Sequence, residues 1–330
     1  MSTGTEPRAL RAFGAAIPCR DRADWGGMSH TTIVTTGDRR ITVEEWGAPD
    51  GIPVLLMHGT PGSRLGPRPR ASVLYRLGIR LVVYDRPGYG GSDRKPGRRV
   101  ADGATDAAVV ADRLGIGRFA VVGRSGGGPH ALACAALLPD RVTCAAVLVS
   151  IAPRDAPGLE WLSGMNAANR QAYAIAEAGM ERLTVWYESQ AAATRADPRT
   201  MLAFLNPHLS EPDRRVVADY GIRQMLESNF SEAFRDSAAG WIDDTLAFTT
   251  PWGFDPAAID MPVLLWHGAE DEFAPIGHTR WLATQMRHAA LVVAFGAAHF
   301  GALAVLPQVL GWAVRGDLGP GALAGLGQIG

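Results

Sequence analysis

Short apolar runs that end in glycine or a turn recur along this 330-residue chain, with helix-compatible stretches between them. No other feature restricts the fold as strongly. The runs are RITVEEWG (40–47), PVLLMHG (53–59), IRLVVYDRPG (79–88), FAVVGRSG (119–126), CAAVLVSIAP (144–153), PVLLWHG (262–268) and ALVVAFG (290–296). The first alternates polar with apolar residues, as a strand near a sheet edge does. The later ones are apolar almost throughout, as strands covered on both faces are. Helix-like stretches lie at about 64–77, 102–115, 126–138, 278–287 and 300–313. Strand and helix in alternation imply α/β architecture, a doubly wound and mostly parallel sheet with right-handed crossovers.

The alternation stops between about 154 and 258. That stretch has a helical pattern broken at Pro198, Pro207, Pro212 and Pro251, and it carries Trp161, Trp186, Tyr187, Phe204 and Trp241. A helical block inserted between two core strands must pack on something, and the sheet end where the loops gather is the nearest partner. The expected organisation is a weakly ordered extension (1–30, with Met28 as an alternative start), a core (31–153 and 259–313), a helical cap (154–258) and a flexible tail (314–330).

A chain of this size buries roughly 75% of its unfolded surface and needs no disulfide or metal staple. Net charge is -1 with 20% charged residues, which gives no electrostatic case for nucleic acid or an anionic membrane. RRV (98–100) and DRR (213–215) read as solvated faces. No run reaches about 18 apolar residues, so no membrane span is expected. Cys19, Cys134 and Cys144 show no metal-ligand spacing and read as reduced thiols of a cytoplasmic protein, Cys134 as a buried filler.

The stretch VVGRSGGGPH (121–130) sets one hydroxyl, Ser125, among four glycines, between an apolar run and an Ala/Leu-rich segment. A tight strand-to-helix turn forces its central residue into a strained conformation and points its side chain outward. Neighbours with a Cβ would collide there, which accounts for Gly123 and Gly127. Gly123-Arg124-Ser125-Gly126-Gly127 fits G-x-S-x-G, a nucleophile elbow, at the carboxyl end of a strand where open α/β sheets place their chemistry.

A serine hydroxyl needs a base, and the base an orienting acid. In this architecture the chain order is Ser, acid, His. HGAEDEFAP (267–275) follows a strand and offers Glu270, Asp271 and Glu272, among which residue chemistry does not choose. His299 follows the last strand and lies 28 residues beyond Asp271, about one β-α-β step. Of the other histidines, His58 and His267 read as strand caps, His278 and His288 as helix residues, His208 as a turn residue, and His130 as a helix residue near the elbow. An oxyanion needs fixed donors, and the backbone N–H groups of Gly126 and Thr60, the latter in a Gly/Pro turn after a strand, are the candidates.

HGTPGSR (58–64), DRPGYGGSD (85–93), GRSGGG (123–128), HGAEDEFAP (267–275) and AAHF (297–300), in this order, resemble the α/β-hydrolase superfamily from about residue 40 to 313. The family pattern H-G-x-x-D-x-x-x-P implies Asp271 as the acid, with Ser125 as nucleophile, His299 as base, Thr60 and Gly126 N–H as the oxyanion hole, and no metal or organic cofactor. HGTPG is similar to the HGGPG turn of the proline iminopeptidases, but GRSGGG departs from their GGSWG elbow. Epoxide hydrolases and haloalkane dehalogenases carry an Asp nucleophile, against which Ser125 argues.

The resulting expectation is a capped serine hydrolase of small to medium esters or lactones. An exopeptidase or amidase would instead need a cap acid to hold an amine: Asp243 and Asp244, or Glu177 and Glu181, all of which read more simply as surface acids. C–C bond hydrolases share the triad and lid. A non-catalytic binding relative would ordinarily lack a triad residue. Trp161, Trp186 and Trp241 are candidate substrate contacts. The expected partner is a small acyl substrate, with a homodimer left open.

Overall fold

The apolar runs become eight strands of one sheet. The computed structural model describes residues 30–327, so the expected weakly ordered extension lies, apart from its last residue, outside the described residues. The strands are β1 (His30–Thr36), β2 (Arg39–Gly47), β3 (Ile52–Met57), β4 (Ile79–Tyr84), β5 (Phe119–Arg124), β6 (Val142–Leu148), β7 (Val263–Gly268) and β8 (Ala289–Ala294). Their spatial order is β1-β2-β4-β3-β5-β6-β7-β8. β2 runs antiparallel to β1 and β4, and every other pairing is parallel. This is the doubly wound, mostly parallel sheet that the alternation implies.

Period-two packing assigns successive strand residues to opposite layers. Val54, Leu81, Val122 and Leu264 join a core with α1 (Ala71–Leu77) and α11 (Gly301–Ala313). Leu55, Val82, Val121 and Leu265 join one with α2 (Asp102–Arg113), α3 (Gly127–Leu137) and α10 (Ile276–Gln285). Each such Val or Leu contributes about 1.5–3 kcal/mol on burial, which is why the central strands are apolar throughout. The chain reverses its direction of winding at β3, whose neighbours are β4 and β5. The crevice at the carboxyl ends of β3 and β5 is therefore the place for a site.

Between β6 and β7 come α4 (Ala167–Glu177), α5 (Met180–Ala196), α6 (Arg199–Leu205), α7 (Glu211–Ala218), α8 (Tyr220–Ala233) and α9 (Ala239–Phe248). They share a third apolar cluster, including Leu183, Tyr187, Leu226, Phe230 and Trp241, which also takes in Tyr89 and Phe300 from loops of the sheet.

Four features differ from the sequence reading. β1 was not anticipated: HTTIVTT is Thr-rich rather than apolar, and it forms by hairpin pairing with β2 from His30↔Glu45 to Thr36↔Arg39. The helix expected from 64 starts only at Ala71, because Pro67 and Pro69 exclude a helix before it. The tail expected to be flexible is docked as far as described: it forms α12 (Pro320–Leu323), Leu326 is buried, and the Leu326 carbonyl accepts from Trp266 Nε1 at 2.7 Å. Finally, Arg98 and Asp213 are buried, not solvated. Among the described residues no helix is long and apolar enough to cross a membrane.

Candidate active site

The turn between β5 and α3 holds Ser125 at φ 54°, a left-handed conformation costing a non-glycine residue of order 1–3 kcal/mol. Its backbone N–H donates to the Leu148 carbonyl at 2.8 Å, tying the turn to the end of β6. A Cβ on Gly123 would strike the Gly127 carbonyl, and one on Gly127 would strike the Met57 carbonyl at the end of β3. Only glycine at both positions lets strand and helix approach this closely.

Three loops meet at this turn. His299 precedes α11, and its Nε2 lies 3.0 Å from Ser125 Oγ. Its Nδ1 lies 2.8 Å from Oδ2 of Asp271, in the loop after β7. With Nδ1–H donating to the carboxylate, Nε2 is free to accept the serine proton. Asp271 Oδ1 accepts from the backbone N–H groups of Phe273 (2.8 Å) and Ala274 (3.0 Å), which fixes the carboxylate. Burial alone would raise the Asp271 pKa. The facing imidazoles of His299 and His267 outweigh it and hold the carboxyl well below the usual range. Asp271 is buried while Glu270 and Glu272 are exposed, so the structure separates acids that residue chemistry could not.

Thr60 follows β3 and lies directly against the elbow, since a Cβ on Gly126 would strike its side chain. Neither the Thr60 nor the Gly126 backbone N–H has an acceptor among the described residues, and both residues line the cavity that holds Ser125 and His299. The Thr60 hydroxyl is already engaged. It donates to Asp244 Oδ2 at 2.5 Å and accepts from Arg86 Nη2 at 2.9 Å.

Asp244, on α9, is the residue beside the site most clearly missed by sequence reading. Asp243 and Asp244 were expected at the surface, and both are buried. Asp244 Oδ2 also accepts from Arg86 Nη2 at 2.6 Å and from the Tyr89 hydroxyl at 2.9 Å. Arg98 Nη1 stands 2.6 Å from Oδ1, an ion pair with its N–H directed off the oxygen, and His130 Nε2 is 3.4 Å from the same oxygen. Burial opposes the charge on Asp244, but Arg86 and Arg98 hold its carboxyl well below the usual range. His130 thus belongs to this cluster and not to the cavity lining. A second missed acid is Asp213 on α7, whose Oδ1 accepts from the Phe300 N–H at 2.7 Å, one residue past His299. Burial raises its pKa to about 6, against the opposing charge of His299.

The cavity above Ser125 is lined by Tyr173, Trp186, Phe204, Phe230, Trp241 and Phe248, with other apolar residues between them. Trp186 and Trp241 therefore face it. Trp161 does not: it is buried, donates from Nε1 to the Ala152 carbonyl at 2.8 Å, and packs edge-on against Tyr173 and His278. Among the described lining residues there is no Asp, Glu or Lys.

A family model for the alpha/beta hydrolase fold matches residues 52–303. The chain is 28% identical to 2-hydroxymuconate semialdehyde hydrolase of Pseudomonas putida over 247 residues, 74% of this chain and 79% of that protein. It is 38% identical to a proline iminopeptidase of Neisseria meningitidis over 104 residues only, 30% of this chain and 33% of that one. Among solved structures, a thermophilic esterase from Thermogutta terrifontis superposes with a TM-score of 0.60 at 22% identity, covering 91% of this chain and 100% of that chain.

Proposed function

The chain belongs to the alpha/beta hydrolase fold family, and we propose that within it this protein is a serine hydrolase cleaving a small to medium carboxylic ester or lactone through an acyl-enzyme. The observation that carries this reading is the continuous hydrogen-bond path from Ser125 Oγ through His299 to Asp271, open to an apolar cavity. Ser125 Oγ attacks the carbonyl carbon as its proton passes to His299 Nε2. The oxyanion is received by the Thr60 and Gly126 N–H groups, each worth about 3–4 kcal/mol to the transition state. The C–O bond then breaks, and the leaving alcohol takes the proton from His299. Water, deprotonated by His299, releases the acid. Asp271, locked by two backbone donors, keeps the imidazole in the tautomer this sequence requires.

C–C bond hydrolysis is the second reading. It uses the same serine, histidine and acid, and the long match to 2-hydroxymuconate semialdehyde hydrolase favours it. The exopeptidase reading is favoured less: its match covers only 104 residues, no acid among the described residues lines the cavity to hold an amine, Asp243 is paired with Arg94 and Asp244 with Arg86. The test is Ser125→Ala assayed with p-nitrophenyl acetate. A loss of about 10⁴-fold or more in kcat is expected, and wild-type turnover by the variant would refute the reading.

A further inference from the structure

Arg124 stands between Gly123 and Ser125, and the mechanism above leaves it without a task. It lines the same cavity as Ser125, Gly126 and His299, and its Nη2 is the atom nearest to a Cβ placed on Gly59, at 3.3 Å, beside the Thr60 turn. The other arginines beneath the cap each have a carboxylate partner: Arg86 and Arg98 share Asp244, and Arg64 faces Asp85 and Glu232. Arg124 has no hydrogen-bond acceptor and no ion-pair partner among the described residues. Burial pulls its pKa down to about 10, with no neighbouring carboxylate to oppose that, so it is still a cation at neutral pH. Arg124 is partly buried, and an unpaired cation there loses part of its hydration at a cost to the fold. Arg124 is also the one Arg, with no Lys, Asp or Glu, among the described residues that line the cavity.

We propose that Arg124 is a substrate-recognition residue, and that the natural substrate carries a carboxylate a few bonds from its scissile carbonyl, on an otherwise apolar or ring-bearing body. The distance follows from chain geometry. Adjacent residues have Cα atoms about 3.8 Å apart, so the guanidinium stays within one side-chain length of the nucleophile. The carboxylate follows from the fork of N–H donors, which matches that group in two parallel bonds and has no acceptor among the described residues. The aromatic walls contribute area and no charge, so Arg124 decides which polar group enters. Binding then neutralises a charge the fold leaves unpaired.

This inference deepens the serine-hydrolase reading and rests on it, and two measurements keep their failures apart. The first compares kcat/KM for the monomethyl ester of glutaric acid with that for its neutral terminal-amide counterpart, in wild type, Arg124→Met, Arg124→Gln and Arg124→Lys. Wild type is expected to favour the anionic ester by roughly 10–100-fold, the range for a hydrogen bond to a charged group. Arg124→Met and Arg124→Gln should bring the ratio near one, and Arg124→Lys should keep part of it. Because the ratio is taken within each protein, a partly unfolded variant does not distort it. The second measures calorimetric binding of the same pair to Ser125→Ala, which reads recognition without turnover. A wild-type ratio of one or less, or a preference that survives in Arg124→Met and Arg124→Gln, overturns the proposal. Equal slowing of both esters overturns it too, since it would place the guanidinium on the scissile carbonyl. Should Ser125→Ala hydrolyse the esters at the wild-type rate, the nucleophile assignment fails, while the calorimetric ratio still decides the role of Arg124.

Discussion

Replacing Asp244 with Asn removes one charge and almost no volume, which isolates what that charge does. Arg86 and Arg98 are 1% and 2% exposed at their side chains and face Asp244 at 2.6 Å each. The substitution leaves two buried guanidinium groups without their counter-ion and weakens the acceptor of the Tyr89 and Thr60 hydroxyls. Breaking a buried pair from one side costs about 3–5 kcal/mol. At about 2 °C per kcal/mol for a domain this large, Tm should fall by roughly 6–10 °C. Asp243, the adjacent residue, is an internal control. Its partner Arg94 has a side chain 39% exposed and can turn to water. Asp243→Asn should therefore lose about 1 kcal/mol at most, near 2 °C. The pH dependence has a definite sign. The Asp244 carboxyl is depressed in the folded state, so its contribution is complete above the unfolded value of about 4 and is lost only as pH falls through the lower folded value. Calorimetric scans of wild type and Asp244→Asn should thus differ by a constant gap from pH 5 to 8. A gap within 2 °C, or an equal loss in Asp243→Asn, would refute the reasoning.

Asp213 gives the opposite dependence. Its folded pKa of about 6 exceeds the unfolded value, so the folded chain keeps a proton that the unfolded chain releases, and stability declines as pH rises from about 4 to 6. Asp213→Asn keeps the acceptor for the Phe300 N–H and should remove that decline, gaining up to roughly 3 kcal/mol at pH 7 by denaturant titration; an unchanged slope between pH 4 and 6 would contradict this. Gly126→Ala places a methyl group where the Thr60 side chain stands, so the Thr60 turn and the elbow must separate. A shift of about 1 Å there costs on the order of 10² in kcat/KM, and wild-type kinetics in this variant would show that the two N–H groups do not act together.

The positions of Ser125, Asp271 and His299 were legible because each follows an apolar run ending near a glycine, a local signal that survives without knowledge of the fold. β1 left no such signal: its Thr-rich sequence becomes a strand only because β2 offers a partner across the Gly37 turn. The same holds for the chain end, where Leu326 is ordered by Trp266, some 60 residues earlier. Buried charge was the least readable feature. An Asp such as Asp213 or Asp244 is ordinarily at the surface, and nothing local marks the exception. One partner of Asp244 is Arg86, 158 positions away, in the DRPGYGGSD stretch. Trp161 was misplaced for a related reason, since an aromatic in the inserted segment, here in the turn before α4, serves equally to wall a cavity or to pack it against the sheet.

Several polar contacts between the inserted helices and the sheet fall on the loops that carry Thr60 and His299. From α9, Asp244 holds the Thr60 hydroxyl. From α8, Asn229 accepts from the Ser63 N–H at 2.9 Å and Glu232 takes Arg64 at 2.5 Å, so both residues clamp the same turn. From α7, Asp213 holds the N–H next to His299. A cap attached only through apolar surface could slide or lift with graded loss, because apolar contact has no preferred geometry. These contacts are directional and desolvated, and separating the two parts would strand charged groups on both sides. The Thr60 turn and the His299 loop therefore take their geometry partly from the cap. Substitutions in the aromatic wall, at Trp186 or Phe204, avoid these anchors. Substitutions at Asp213, Asn229 or Asp244 strike the geometry of the site itself, although none of the three lines the cavity.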